Sequence, residues 1–258
     1  MEPRHAQPAY WVRRLSMVRL FAQYHSTLDH RTEVPPEGFI SGKYHRTTPY
    51  IYNDTEISKL INTANSLPSP NGLRAATYTT LFGLLTVTGM RILEPISLGI
   101  KDVDLKQGIL TIKHTKFRKS RLLPIHPSTQ EVLIKYRKLR DEIFPHTPSK
   151  SFFISDNGIS LTPWSVRYTF VKISHEIGLR KKGDSYGPRI LDFRHTFAVK
   201  TILKWYKDGF DVECQMPKLS TYLGHQHVND TYWYISAVPE LLNLAMMRLD
   251  KIEGGLVK

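Results

Sequence analysis

The sequence predicts a mainly α-helical protein with one small antiparallel β-sheet, an α+β arrangement. Three observations predict it. Apolar residues recur at three- and four-residue steps along most of the chain, the period of a helix with one buried face. Strand-like runs are confined to one short basic stretch between Ile109 and Ile125. Capping residues, Gly and Pro divide the periodic runs into helices of ordinary length.

The elements follow in order. Residues 10–29 read as a helix with Trp11, Leu15, Val18, Phe21 and Ala22 on one face. A polar stretch with Pro35, Pro36 and Gly38 runs on to Pro49 and reads as a linker. Asn53 with Glu56 makes a capping box, and Ile57, Leu60, Ile61 and Ala64 give the face of the helix that follows. Ser69 to Gly72 is a loop. Ala75 to Thr88 is a mostly apolar, buried helix, and Gly89 is suited to end it. Arg91 opens a short helix through Ser97. Ile109–His114 and Arg121–Ile125 are strands, joined by the turn Lys116–Ser120 into a basic hairpin. Ser128 with Glu131 predicts a capping box for a helix to about Arg140. Thr162-Pro163 starts the next helix and Gly178 ends it. Helices are also predicted over 191–207, closed by Gly209, and over 216–223, 231–236 and 239–251. The domain boundary falls near Thr48, with residues 1–47 a partial helical segment plus linker and residues 48–258 one larger unit.

Composition narrows the function. The chain has 258 residues, 41% hydrophobic and 23% charged, an ordinary globular balance. Lys and Arg outnumber Asp and Glu 36 to 23, a formal net charge of +13. Such an excess favours a polyanionic partner, most simply nucleic acid; the duller alternative is a surface charged for solubility. Cys214 is the single cysteine, which excludes an intramolecular disulfide and a Cys-rich zinc site. No apolar run has the length of a membrane span. Met1 to Arg14 lacks the apolar core of a signal peptide, so a cytoplasmic location is expected.

The chemistry-bearing residues form three groups. Thr88-Gly89-Met90-Arg91-Ile92-Leu93-Glu94 comes first, then Arg194-His195-Thr196-Phe197-Ala198, then Leu223-Gly224-His225 with Tyr234 nine positions on (234 − 225). Breaking a phosphodiester without a metal needs a nucleophile, stabilisation of charge on the non-bridging oxygens, and a proton for the leaving oxygen. A tyrosine can attack, although its phenol normally titrates near about 10 and needs a base or a strong positive field. Arginine forks suit the oxygens and stay charged. A lysine in a cationic site suits the leaving group.

These groups resemble the boxes of the tyrosine recombinases, the phage-integrase family. Thr115 to Pro124 resembles the family's β-hairpin lysine segment. Four elements in the right order across residues 88 to 234 carry the resemblance; singly, each is weak. The resemblance implies the catalytic-domain fold of DNA breaking-rejoining enzymes. It also implies roles. Arg91 and Arg194 would clamp the scissile phosphate, Lys116 would protonate the departing 5′-oxygen, His225 would hydrogen-bond a phosphate oxygen, and Tyr234 would attack and hold the 3′-phosphate. Glu94 would support the first arginine, and His195 matches a position that is usually structural. No metal and no cofactor is implied. Lys119 competes with Lys116; the spacing of 25 residues from Arg91 (116 − 91) favours Lys116. Tyr222 and Tyr232 compete with Tyr234.

One residue departs from the pattern. The second box normally reads His-x-x-Arg, and Leu191 stands three positions before Arg194. Leucine neither contacts a phosphate nor moves a proton, and such groups typically contribute about a hundred- to ten-thousand-fold. Reduced catalysis, or cleavage with poor religation, is therefore expected. One step along a helix turns a side chain by about 100°, so His195 is not expected to replace the missing histidine directly.

Backbone phosphate contacts are expected from Arg118, Lys119, Arg121 and Arg189. The partner implied is double-stranded DNA, held by a homotetramer, with no membrane involved. The family's helical core-binding domain would be represented only by its last part, Tyr10 to Leu28, which suggests truncation. The first reading is thus a site-specific recombinase or integrase of a mobile element, of the transposon-associated kind. The alternative is a catalytically impaired relative that occupies DNA sites. A type IB topoisomerase-like relaxing activity would share the chemistry.

Overall fold

Helix signals organise nearly all of the chain, and the computed structural model describes residues 8–41, 48–113, 120–146, 149–181, 183–184 and 187–253. The chain divides into two units, Met1–Thr48 and Pro49–Lys258. In the first, α1 (Pro8–Ser26) begins at a proline, whose fixed φ suits the first helical position. The proline stretch expected to be a linker folds back on α1, where the Arg19 guanidinium donates to the carbonyls of Pro35 (2.8 Å) and Pro36. The apolar face of α1 is largely uncovered, with Trp11, Val18 and Phe21 all exposed. A lone helix has no second layer to pack against within its own unit.

The second unit holds the expected mixture of helices and one small sheet. Helix α2 (Asp54–Asn65) starts at the Asn53–Glu56 capping box and buries Ile57, Leu60 and Ala64. Helix α3 (Leu73–Thr88) is apolar almost all round and lies against α2, α5 (Pro127–Ile143) and α7 (Leu191–Lys207). Gly89 ends it in the left-handed region at φ 61°. A Cβ there would sit 2.7 Å from Phe197, so both the backbone and the packing require glycine. After the short α4 (Leu93–Ile96) and a 3₁₀ turn (Ile100–Asp102) comes a three-stranded antiparallel sheet in the order β1 (Val103–Asp104), β2 (Ile109–Ile112), β3 (Arg121–Pro124). Ile109 pairs with Pro124 and Ile112 with Arg121. Strand β1 has two residues, too few for a period to be read.

Helix α5 starts at Pro127 with His126 as its N-cap, not at the expected Ser128–Glu131 box. Proline at the first helical position fixes the start, and the His126 side chain accepts the Ser128 N–H. Helix α6 (Pro163–Glu176) follows its Thr162 cap as expected. Helices α8 (Val212–Leu223), α9 (Asn229–Ala237) and α10 (Pro239–Glu253) complete the unit. Helix α8 begins four residues before the expected Met216. Asp211 caps it, and Pro217 is accommodated inside.

Two apolar clusters make the core. The larger runs from Tyr52 through α3 and the sheet to Phe170 and Phe193. The smaller joins Ala198, Val199 and Ile202 of α7 to Met216, Leu219 and Leu223 of α8, Tyr234 of α9 and Leu241 of α10. Helix α7 spans both. Arg194, His195 and Thr196 lie in sequence between Phe193 of one cluster and Ala198 of the other.

Candidate active site

The C-terminus of α8 gathers the charged groups. The last carbonyls of a helix lack intrahelical partners and form its negative pole. Here three consecutive carbonyls, Tyr222, Leu223 and Gly224, each accept from an arginine. Arg121 Nε donates to Tyr222 at 2.9 Å, Arg194 Nη2 to Leu223 at 2.8 Å, and both Nη atoms of Arg91 to Gly224 at 3.3 Å. Arg194 Nη1 also donates to the carbonyl of Gly89 at 2.9 Å. Arg194 thus ties the glycine that ends α3 to the last turn of α8, and Arg91 takes the carbonyl of the glycine that ends α8. Gly224 (φ 69°) admits no Cβ without a 2.7 Å approach to Arg121.

Glu94 balances this cluster. Arg121 reaches it with two parallel bonds of 3.0 and 2.9 Å, and the Arg91 backbone N–H donates at 2.9 Å. The Arg91 side chain lies 3.4 Å away. Burial pushes the Glu94 carboxyl up, but the hydrogen bonds and charge of Arg121, aided by Arg91 and Arg194, hold it below its usual value. Arg194 is 3% exposed. Burial, reinforced by the charge of Arg91, pulls its pKa down to about 10, while Tyr234 and Glu94 act the other way. It remains charged at neutral pH. Three guanidinium groups against one carboxylate leave the cluster cationic.

The tyrosine side of the site is built by α7 and α9. Tyr234 is 1% exposed. Its hydroxyl lies 2.9 Å from His195 Nδ1. His195 Nε2 is 4.0 Å from Asp192 Oδ1, one helical turn back. Asp192 is itself held by the Arg189 backbone N–H (2.7 Å) and guanidinium (3.0 Å). The His225 ring stacks 6.5 Å from the Tyr234 ring, and its Nδ1 lies 2.6 Å from Thr231 Oγ1, which sets the ring plane.

Among the residues singled out in the sequence, Arg91, Arg194, His225, Tyr234, Glu94 and His195 therefore come together. Arg121, expected on a DNA-facing surface, has a side chain only 12% exposed, held by Glu94 and the Tyr222 carbonyl. Arg189, expected there too, is half-exposed and paired with Asp192. Lys116, Arg118 and Lys119 lie outside the described residues. Leu191 begins α7 and is 46% exposed. Tyr222 is aimed at the sheet, with its hydroxyl 3.4 Å from the Pro124 carbonyl; burial pushes its phenol up to about 12, against the charge of Arg121. Sequence reasoning missed Asp192 and Thr231. The signal for Asp192 was the i, i+3 spacing of Arg189, Asp192 and His195 across the start of α7.

The chain is similar to known proteins along most of its length. The phage integrase family matches residues 51–240. The chain is 43% identical over 253 residues to y4rB of Sinorhizobium fredii, named as an integrase/recombinase, covering 96% of this chain and 81% of that protein. It is 27% identical over 222 residues to tyrosine recombinase XerD of Staphylococcus epidermidis, covering 85% and 69%. Among solved structures, the XerH site-specific recombinase bound to palindromic difH substrate superposes with a TM-score of 0.63 at 20% identity, covering 94% of this chain and 72% of that one. The mainly helical unit with its three-stranded sheet is the tyrosine recombinase catalytic fold, and the chain belongs to the phage integrase family.

Proposed function

We propose that this protein cuts and rejoins double-stranded DNA at specific sites, through a 3′-phosphotyrosine on Tyr234. The observation that carries the reading is the meeting of Arg91 and Arg194 on adjacent carbonyls of Leu223 and Gly224, directly before His225. The His225 ring in turn stacks near Tyr234. Arg91 and Arg194 clamp the scissile phosphate, with bidentate forks suited to its oxygens. His225 hydrogen-bonds one of those oxygens, and Lys116 gives a proton to the departing 5′-oxygen. The phosphotyrosine ester keeps the energy of the broken bond for rejoining to an incoming 5′-hydroxyl. Glu94 and Arg121 position Arg91. Arg118, Lys119 and Arg189 contact backbone phosphates, which set affinity and its salt dependence. Strand exchange joins two duplexes, so the active assembly is a homotetramer on DNA, serving a mobile element of the transposon-associated kind.

The test is covalent capture. The unaltered chain and Tyr234→Phe are incubated with a pool of randomised nicked duplexes, in which the nick lets the fragment after the cut diffuse away. An adduct that survives denaturation, and is lost in Tyr234→Phe, is the expected result. No adduct from the unaltered chain at any duplex in the pool overturns the reading. A second reading rests on Leu191: a relative that occupies DNA sites without cutting them. Selective retention of a duplex with no adduct is its signature.

A further inference from the structure

We propose that His195 is the general base that takes the proton of Tyr234 during strand cleavage. The inference rests on the reading of Tyr234 as the nucleophile. A phenol keeps its proton at neutral pH, so its oxygen attacks phosphorus well only if that proton leaves as the bond forms. The Tyr234 hydroxyl lies 2.9 Å from His195 Nδ1, inside the reach a base needs. Both residues are buried, so bulk water does not compete for the proton. On the far side of the ring, Nε2 lies 4.0 Å from the carboxylate of Asp192, which is buried and anchored by Arg189. Carboxylate, imidazole and phenol therefore stand in a row.

The step balances. With the imidazole proton on Nε2, the phenol donates to Nδ1. As the phenolic oxygen forms its bond to phosphorus, the O–H proton passes to Nδ1, and the bond from phosphorus to the 5′-oxygen breaks. The departing oxygen takes its own proton from the acid already assigned to it. The new imidazolium faces Asp192, which offsets the nearby charge of Arg194. On rejoining, Nδ1–H returns the proton to the phenolic oxygen as it leaves. His195 does not stand in for the histidine replaced by Leu191. Leu191 is half-exposed at the start of α7, whereas His195, turned about 100° from Arg194, serves the phenol.

A role in merely holding the phenol is separable from proton transfer. His195→Asn keeps a hydrogen-bonding group near the hydroxyl but accepts no proton. Adduct formation is followed in single turnover on the duplex recovered from the randomised pool, with thermal midpoint and duplex affinity as controls. The expected result is adduct formation slower by about a hundred- to ten-thousand-fold in both His195→Asn and His195→Ala, at unchanged affinity. If His195→Asn stays within about tenfold of the unaltered chain, below the range for a lost acid or base, this inference falls while the phosphotyrosine reading stands. If the unaltered chain forms no adduct, both fall. Should the variants fail to fold, the unaltered chain decides on a substrate whose 5′-bridging oxygen is replaced by sulfur, a leaving group that needs no proton. Slower cleavage in heavy water then reports the phenolic proton in flight, and equal rates in the two solvents overturn the proposal.

Discussion

Replacing Glu94 by Gln tests the frame on which the arginines are mounted. Glu94 is almost fully buried and takes both arms of Arg121 at 3.0 and 2.9 Å as well as the Arg91 backbone N–H. Glutamine preserves the shape, but turns one acceptor into a donor facing a guanidinium and leaves Arg121 charged and unpaired. Breaking a buried pair by removing one partner costs about 3–5 kcal/mol. For a unit of this size each kcal/mol moves the melting temperature by about 2–4 °C. Glu94→Gln is therefore expected to lower it by roughly 6–20 °C in a calorimetric scan. Arg121→Met in the same background removes the orphaned charge, so the double variant should recover much of the loss. A double-mutant cycle gives the coupling. A drop smaller than about 2 °C, or losses that simply add, would mean that the pair is solvated and worth no more than a surface ion pair.

Further outcomes follow from the same geometry. Leu191→His, which restores the family pattern beside Arg194, should speed cleavage; equal turnover in both chains refutes the idea that Leu191 impairs catalysis. Gly89→Ala forces an L-residue to φ 61° with its Cβ 2.7 Å from Phe197, and urea unfolding should show a loss of about 1–3 kcal/mol or more. Arg194→Lys loses at least one of the 2.9 and 2.8 Å bonds to Gly89 and Leu223, and should cost stability even without DNA. Arg91→Lys, on longer bonds and more exposed, should cost adduct formation more than melting temperature. Because the folded-state pKa of Glu94 is depressed, its contribution is full above the unfolded value of 4.5 and is lost as pH falls from there through the folded value. Stability measured against pH should decline over that acidic range in the unaltered chain, and less steeply in Glu94→Gln.

How far the sequence could be read depended on the range of the signal. Helices with strong local punctuation, such as α2 behind Asn53 and α3 before Gly89, were legible because caps and αL glycines act within a turn of the chain. The start of α5 was misplaced because two local signals competed, and Pro127 outweighed Ser128. Strand β1 was invisible because it exists only as a partner for Leu110 and Ile109. The same division holds at the site. The three boxes were visible as residue types and spacings. That Arg121 belongs to Glu94, 27 residues away, was not, because a basic hairpin in the sequence looks the same whether its arginines face solvent or the core. The row from Asp192 through His195 to Tyr234 needs two helices brought side by side.

The two arginines on the end of α8 are held differently. Arg194 is buried, with two short bonds to carbonyls at the ends of α3 and α8. Releasing it would orphan both acceptors, each at about 1–3 kcal/mol, so on the proposed reading it clamps the phosphate from a fixed place. Arg91 is about a third exposed, and its two bonds share one carbonyl at 3.3 Å. That contact is cheap to exchange for a phosphate oxygen, which offers a charge-assisted pair in its place. The Gly224 carbonyl left behind sits at a helix C-terminus, where water or a neighbouring cation satisfies it readily. On the proposed reading, a phosphate would meet one arginine already in its final place and one that changes partner to bind it. This fits a site whose charge is organised before substrate arrives, with only the outer fork left to close.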